Sequence, residues 1–343
     1  MGSKDSAGTD NSGNIGLLEE ENLKYGMENE ILFLDPVFTH NVWGGTRLRT
    51  EFGYEVEGND VGECWGISAH EKGDCKIAEG KFQGEFLSKL WKEHPELFGY
   101  LNDPRFPLMV KLIDARDDLS VQVHPNNAYA NEHENGSLGK TECWYVLDCE
   151  DDAAFVVGHN ASDREELARM IEEGRWTEFI REIPVKKGSF VQIDPGCVHA
   201  IKGGLLVYEV EQNSDITYRV YDYGRLSGGK PRELHVQKSI DVIRVPAKPV
   251  EKCVIDASDV PRNQWNALVF CDSYRVWKLV LDGEMNFEQS QPFLLMSVLD
   301  GAGSINGVPV KKGVHLILPN GFGHVKLLGN MEIVASSVGS GSD

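Results

Sequence analysis

The chain has 343 residues, 41% of them hydrophobic, enough to bury one large core or two smaller ones. With 54 acidic against 34 basic residues its formal charge is −20, a field that repels nucleic acid and anionic membrane surfaces and argues against both as partners. No apolar run approaches the roughly 18 residues of a membrane span, and seven scattered cysteines without a C-x-x-C pair point to reduced thiols and a cytoplasmic setting.

Residues 1–26 (MGSKDSAGTDNSGNIGLLEEENLKYG) are rich in Ser, Gly, Asp and Glu, and read as a flexible leader or tag rather than a secretory signal. From Ile31 to Leu119 short apolar runs such as ECWGIS and FPLMVKLI alternate with Gly and Asp turns. GEFLSKLWKEHPELFG, residues 84–99, interrupts them as an amphipathic helix with Phe86, Leu87, Leu90 and Trp91 on one face. SDREELARMIEEGRWTEFIREI is the second helical stretch, with Ser162 and Asp163 as candidate caps and Glu165 in the first turn. Trp91 and Trp176 are expected to pack inward rather than to serve an oligomer. RVPAKPVEK, residues 244–252, reads as a linker, and SYRVWKLVLDG, PFLLMSVLDG, HLILP and EIVASSV follow as strands. The boundaries expected are 27–247 for a first domain with helical insertions and 248–343 for a second.

An internal repeat ties the two halves together. Pro184-Val185-Lys186-Lys187-Gly188 recurs as Pro309-Val310-Lys311-Lys312-Gly313, and at the same offset His199 falls on His324. YVLDC, Tyr145 to Cys149, has a looser counterpart in SVLDG, Ser297 to Gly301. The second copy puts Leu294 where the first has Glu142, and it lacks a His-Pro pair. A mainly β protein is therefore expected, made of two β-barrel halves. The first keeps an inward polar set; the second is filled with side chains.

Three segments carry the polar set. In LSVQVHP, residues 119–125, strand alternation turns Ser120, Gln122 and His124 to one face and the valines to the other. GKTECWYVLD, residues 139–148, puts Lys140 and Glu142 on one face by the same rule. In KKGSFVQIDPGCVHAI, residues 186–201, a strand and a Pro-Gly turn lead to His199, in a pattern that resembles the second motif of cupins. Pro195 stands one position later than in the commonest form of that motif. Each segment alone fits a satisfied core or a surface pair. Together, His124, Glu142 and His199, with Gln122 as an optional fourth, form a nitrogen and oxygen donor set suited to zinc, manganese, iron or cobalt.

At this point a family resemblance enters. LSVQVHPNN, GKTECWYVL, PGCVHAI and YEVEQNSDITYRVYDYGR resemble type I mannose-6-phosphate isomerases, especially the shorter bacterial form, from Val42-Trp43-Gly44-Gly45 to about His235. The resemblance implies jelly-roll cupin halves and one Zn2+ per chain held by Gln122, His124, Glu142 and His199. Glu209, Ser214-Asp215 and Arg219 stand in the family's E-x4-S-D-x3-R spacing. Arg219 is then the active-site arginine, Lys140 a substrate-binding or proton-handling lysine, and Ser120 a phosphate contact.

Isomerising mannose 6-phosphate to fructose 6-phosphate moves a proton between two carbons through an enediolate. The site therefore needs a base, for which Glu209 and Lys140 both qualify, and a fixed positive charge such as Arg219. The acidic surface would repel a hexose phosphate unless basic groups gather locally, and Lys140, Arg219 and Arg225 are the candidates. A cupin redox enzyme using iron or manganese and a non-catalytic sugar-binding cupin are the alternatives. Oxygen uptake separates the first, and binding without turnover the second.

Overall fold

The computed structural model describes residues 30–339, so the segment expected as a leader lies outside the described residues. The protein is mainly β, and its first half is a jelly-roll sandwich of two antiparallel sheets. The seven-stranded sheet runs in the order Val254–Asp256, Ser189–Ile193, Glu142–Cys149, Leu205–Gln212, Leu108–Ala115, Val37–Gly45 and Val61–Ile67. The five-stranded sheet runs Ile180–Pro184, Ala154–His159, His199–Ile201, Val121–Val123 and Tyr218–Tyr221. Both sheets stay open, and the space between them at one end is filled by Trp43, Phe155, Val157, Ile201 and Val207.

The two faces of Val121–Val123 differ as alternation requires. Val121 and Val123 are fully buried on the outer face, under the helices Arg164–Glu172 and Val236–Val242, with Leu167, Met170, Phe179 and Ile243 over them. This cover leaves the inner face of the strand for polar side chains. The helix Arg164–Glu172 starts where Asp163 accepts a hydrogen bond from the Glu166 amide at 2.8 Å. The expected helical stretch breaks at Gly174, in the left-handed region at φ +67°, and Ile180–Pro184 is a strand. The earlier helix is also shorter than expected, Leu87–Glu93 followed by a tight turn at Pro95–Phe98. Leu87, Leu90 and Trp91 are buried, whereas Phe86 lies outside the helix in an extended conformation and is exposed beneath the Lys76 ammonium.

The later half curls one eight-stranded sheet around its own core of Leu281, Met296, Leu316, Phe322, Leu327 and Ile333. Strand exchange joins the halves: Leu32–Asp35 pairs with His315–Leu318, and Val254–Asp256 pairs with Ser189–Ile193. The repeat is visible in the backbone. Gly188 and Gly313 take φ of +86° and +88°, and their amides donate to the Val146 and Val298 carbonyls, both at 2.9 Å. The histidines diverge, since His199 is fully buried and His324 is exposed.

Between the halves runs a chain of hydrogen bonds. Tyr208 Oη donates to Ser297 Oγ at 3.3 Å, and Ser297 Oγ lies 2.8 Å from His315 Nδ1. His315 Nε2 lies 2.9 Å from Tyr54 Oη, which donates to the Gly313 carbonyl at 2.8 Å. A single arrangement of hydrogens satisfies every member, with His315 neutral and protonated on Nε2. Gly66 of the ECWG segment leaves room for this ring, because a Cβ there would lie 2.4 Å from His315 Cε1.

Candidate metal centre

Strand register assembles the site as two facing rows. In the five-stranded sheet His199 stands opposite Gln122, and Gln122 opposite Arg219. In the seven-stranded sheet Glu142 stands opposite Glu211, and one step along Trp144, Glu209, Lys111 and Trp65 lie side by side. Period-two alternation places all of these side chains on the inner faces.

The rows converge on one point. Glu142 Oε2 lies 3.2 Å from His124 Nε2, Glu142 Oε1 lies 3.3 Å from His199 Nε2, and the two Nε2 atoms are 3.1 Å apart. All three side chains are almost completely buried. His124 Nδ1 is 2.8 Å from the Ile216 carbonyl and His199 Nδ1 2.9 Å from the Cys197 carbonyl. A carbonyl only accepts, so each Nδ1 carries the hydrogen and each Nε2 turns a lone pair inward. Two lone pairs and a carboxylate thus face one another at contact distance, with no hydrogen between the imidazoles. Such an arrangement is repulsive unless a cation sits among the donors, and nitrogen and carboxylate donors suit a divalent transition metal. Gln122 reaches His199 Nε2 at 3.2 Å through its amide nitrogen, and the same amide turned over presents its oxygen.

A second cluster borders the first. Lys140 Nζ lies 3.0 Å from Glu142 Oε2 and 2.6 Å from Glu211 Oε2, so Lys140 and Glu142 form a buried pair. Lys111 Nζ lies 2.9 Å from Glu211 Oε1 and 3.8 Å from both Glu209 Oε2 and Glu63 Oε1, with its ammonium over the Trp65 ring. Trp144 Nε1 donates to Glu209 Oε1 at 3.0 Å.

These contacts push the carboxyls apart in acidity. Burial raises the Glu209 pKa well above the usual range, Glu211 and Glu142 add to it, and the nearby lysines do not undo it. Burial also disfavours the Glu142 carboxylate, but the Lys140 ammonium beside it outweighs burial and holds the pKa well below the usual value. For Lys140 burial is again outweighed, by Glu142, Glu211 and Glu209, so its pKa stands well above that of an ordinary lysine. Burial pushes the His199 imidazole down to about 3, keeping it neutral.

A cleft of about 210 Å³ opens onto this floor, lined by Ser120, Gln122, Lys140, Glu209 and Arg219 among others. Ser120 Oγ donates to Gln122 Oε1 at 3.3 Å, and Arg219 Nη1 donates to the Glu233 carbonyl at 3.0 Å. Arg225 is not among the lining residues and is bound by Asp222 and the Asp118 carbonyl. Arg232 lines the cleft instead, while its guanidinium forks onto Asp222 at 2.7 and 2.5 Å.

Sequence reading missed Lys111, Glu63, Glu211 and Arg232. Lys111 sits inside the apolar run FPLMVKLI, where a lone lysine in a buried strand was the available signal. Glu211 follows Glu209 by two and so shares its face. Arg232 lies in a turn and leaves no periodic trace.

A model of the phosphomannose isomerase type I catalytic domain matches residues 31–147, and one of the mannose-6-phosphate isomerase cupin domain matches residues 264–338. Mannose-6-phosphate isomerase ManA of Bacillus subtilis (strain 168) is 48% identical over 315 residues, spanning 90% of this chain and 99% of its own length. The chain belongs to the type I phosphomannose isomerase family. A mannose-6-phosphate isomerase of Streptococcus mutans is 43% identical over 90% of this chain and 98% of its own. The crystal structure of mannose 6-phosphate isomerase from Bacillus subtilis superposes with a TM-score of 0.82 at 40% identity, across 90% of this chain and 99% of that one. A putative mannosephosphate isomerase from Archaeoglobus fulgidus shares the fold at a TM-score of 0.75 and 19% identity, over 92% of this chain and 100% of its own. Within the phosphomannose isomerase frame, Lys111, Gln122, His124, Lys140 and Glu142 lie inside the catalytic-domain match, and His199, Glu209 and Arg219 lie between the two matched segments.

Proposed function

We propose that this chain is a metal-dependent aldose–ketose isomerase that interconverts mannose 6-phosphate and fructose 6-phosphate. Relatives covering nine-tenths of it carry the name mannose-6-phosphate isomerase. The observation that carries the metal dependence is the convergence of the His124 and His199 lone pairs with the Glu142 carboxylate, buried behind Gln122 and Lys140 of the cleft lining. His124, Glu142 and His199, with the Gln122 amide, would hold one Zn2+, one of the metals suited to mixed imidazole and carboxylate donors. When bound, it supplies a Lewis-acid charge that polarises the sugar carbonyl or fixes its hydroxyls.

The chain's own residues would divide the remaining work. Glu209, whose burial makes its carboxylate more basic than that of a free glutamate, would take the proton from one carbon and return it to the next. Lys140 keeps its proton, which suits it to stabilising a developing oxyanion better than to acting as the base. Arg219 brings a permanent cation, and Ser120 and Arg232 stand along the cleft where a phosphate can be gripped. These basic groups gather at the cleft of a protein that is acidic overall, as an anionic substrate requires.

Seven free cysteines support a reducing, cytoplasmic compartment, and no described helix is long and apolar enough to cross a membrane. Elemental analysis and a coupled isomerase assay on the same preparation test the reading. One ion per chain is expected, together with turnover that falls at least about 100-fold on chelation and returns with zinc. Full metal content without isomerisation would sink the substrate assignment. Full turnover without metal would sink the metal dependence.

A further inference from the structure

We propose that the hairpin of Ala69–His70 and Gly73–Asp74 is a clamp that positions the metal site from outside the cleft, with His70 and Lys72 acting through Asp215. It rests on the metal-site reading above and adds two positioning residues that touch none of the donors, although the His70 ring packs edge-on against Trp65 at the cleft wall.

The chain of contacts is short. The Lys72 amide donates to His70 Nδ1 at 3.3 Å, so that nitrogen is an acceptor and Nε2 carries the hydrogen. His70 Nε2 points at Asp215 Oδ1 at 3.5 Å, and Lys72 Nζ donates to Asp215 Oδ2. Both carboxylate oxygens are thus engaged by one hairpin. The next residue along, Ile216, offers the carbonyl that accepts the His124 Nδ1 hydrogen at 2.8 Å and so turns Nε2 towards the donor cluster. Ser214 secures the loop on its other flank, donating to the Leu138 carbonyl at 2.9 Å. Three residues after Ile216 comes Arg219, on the strand Tyr218–Tyr221.

Asn213 and Ser214 at the start of the loop are buried and hydrogen-bonded, whereas Asp215 and Ile216 are only partly buried and rely more on such tethers. A second cavity of about 490 Å³ lies against it, lined by His70, Asn213, Asp215 and Ile216 among others, so that side of the loop faces open volume. The Ile216 carbonyl fixes the His124 tautomer only as well as the loop holds it in place, and partners that orient metal-binding histidines govern affinity. Lys72 is 64% exposed, and an exposed pair alone contributes little. The His70 side chain, only 14% exposed, brings its Nε2 to 3.5 Å from the other oxygen of the same carboxylate and makes the pair a clamp.

The test uses the full chain stripped of metal and titrated with Zn2+ against a chromophoric chelator, with no sugar phosphate present. Amide hydrogen exchange over residues 213–219 is followed in the same samples. The double variant H70Q/K72M is expected to bind Zn2+ about 10-fold more weakly than wild type and to exchange faster in this loop alone. K72M should fall between, and K72R, which keeps the cation, should stay within about twofold of wild type. Wild-type affinity and exchange in H70Q/K72M would overturn the clamp, as would acceleration spread evenly over the molecule. A wild-type chain that takes up no zinc would sink the metal reading and the clamp with it, whereas absent isomerase activity would leave both standing.

Discussion

Glu142 is the residue on which the site turns, because its two oxygens face two imidazole lone pairs and one ammonium inside a buried pocket. Glu142→Gln keeps the shape and removes the charge, so metal content should fall from one ion per chain to a small fraction, read by elemental analysis. Glu209→Gln should retain the metal and lose about 10²- to 10⁴-fold in kcat, as expected for a proton-transfer group. Unchanged kcat would assign the base elsewhere. Arg219→Ala should also keep its metal while losing most activity in the coupled assay. The donor residues were legible because alternation on a strand assigns faces: Gln122 and His124 differ by two, as do Lys140 and Glu142. Lys111 was not legible, since period-two reading of FPLMVKLI yields a core strand. Its charge is tolerated only because Glu211, Glu63 and Glu209 surround it from other strands.

Among the elements, the three-residue strand Val121–Val123 has the greatest consequence, since it carries Gln122 between His199 and Arg219. A strand so short depends on its cover. Leu167, fully buried on the helix Arg164–Glu172, is part of that cover. Leu167→Ala should destabilise the protein by about 2–5 kcal/mol in urea unfolding, through lost burial and the cavity left behind. A loss below about 1 kcal/mol would mean that the helix is not needed to hold the sheet. Helix limits were the least legible feature. The stretch from Ser162 to Ile183 has helical composition, yet its last four residues, from Ile180, belong to the strand Ile180–Pro184, where sheet hydrogen bonds with Ala154–His159 outweigh local preference. Phe86 looked like part of a helix face by spacing, but it precedes the first helical turn.

Across the molecule, the two halves are joined by exchanged strands and by the buried hydrogen-bond chain through His315. Burial pushes the His315 pKa down to about 4, while the unfolded chain takes up the proton near pH 6.5. Between these values the unfolded state binds more protons. The contribution of His315 is therefore complete above about pH 6.5 and is lost as pH falls towards 4, by an amount on the order of 3 kcal/mol. Urea unfolding of the metal-free chain across this range should show the loss, and His315→Gln should reduce it by that amount while the share of His199 remains. An equal pH dependence in the variant would place the effect on other groups.

Sequence by itself determined the alternation of faces, the repeat, the filled second half and the residues able to hold a metal, because these follow from period-two geometry and side-chain chemistry along single segments. Tertiary structure alone decided which carboxylate stays ionised and which is pushed up, why Lys111 is tolerated, and that Arg232 rather than Arg225 lines the cleft. The reason is physical: a pKa or a buried charge is set by neighbours a few ångströms away in space, and those neighbours come from strands distant in the chain.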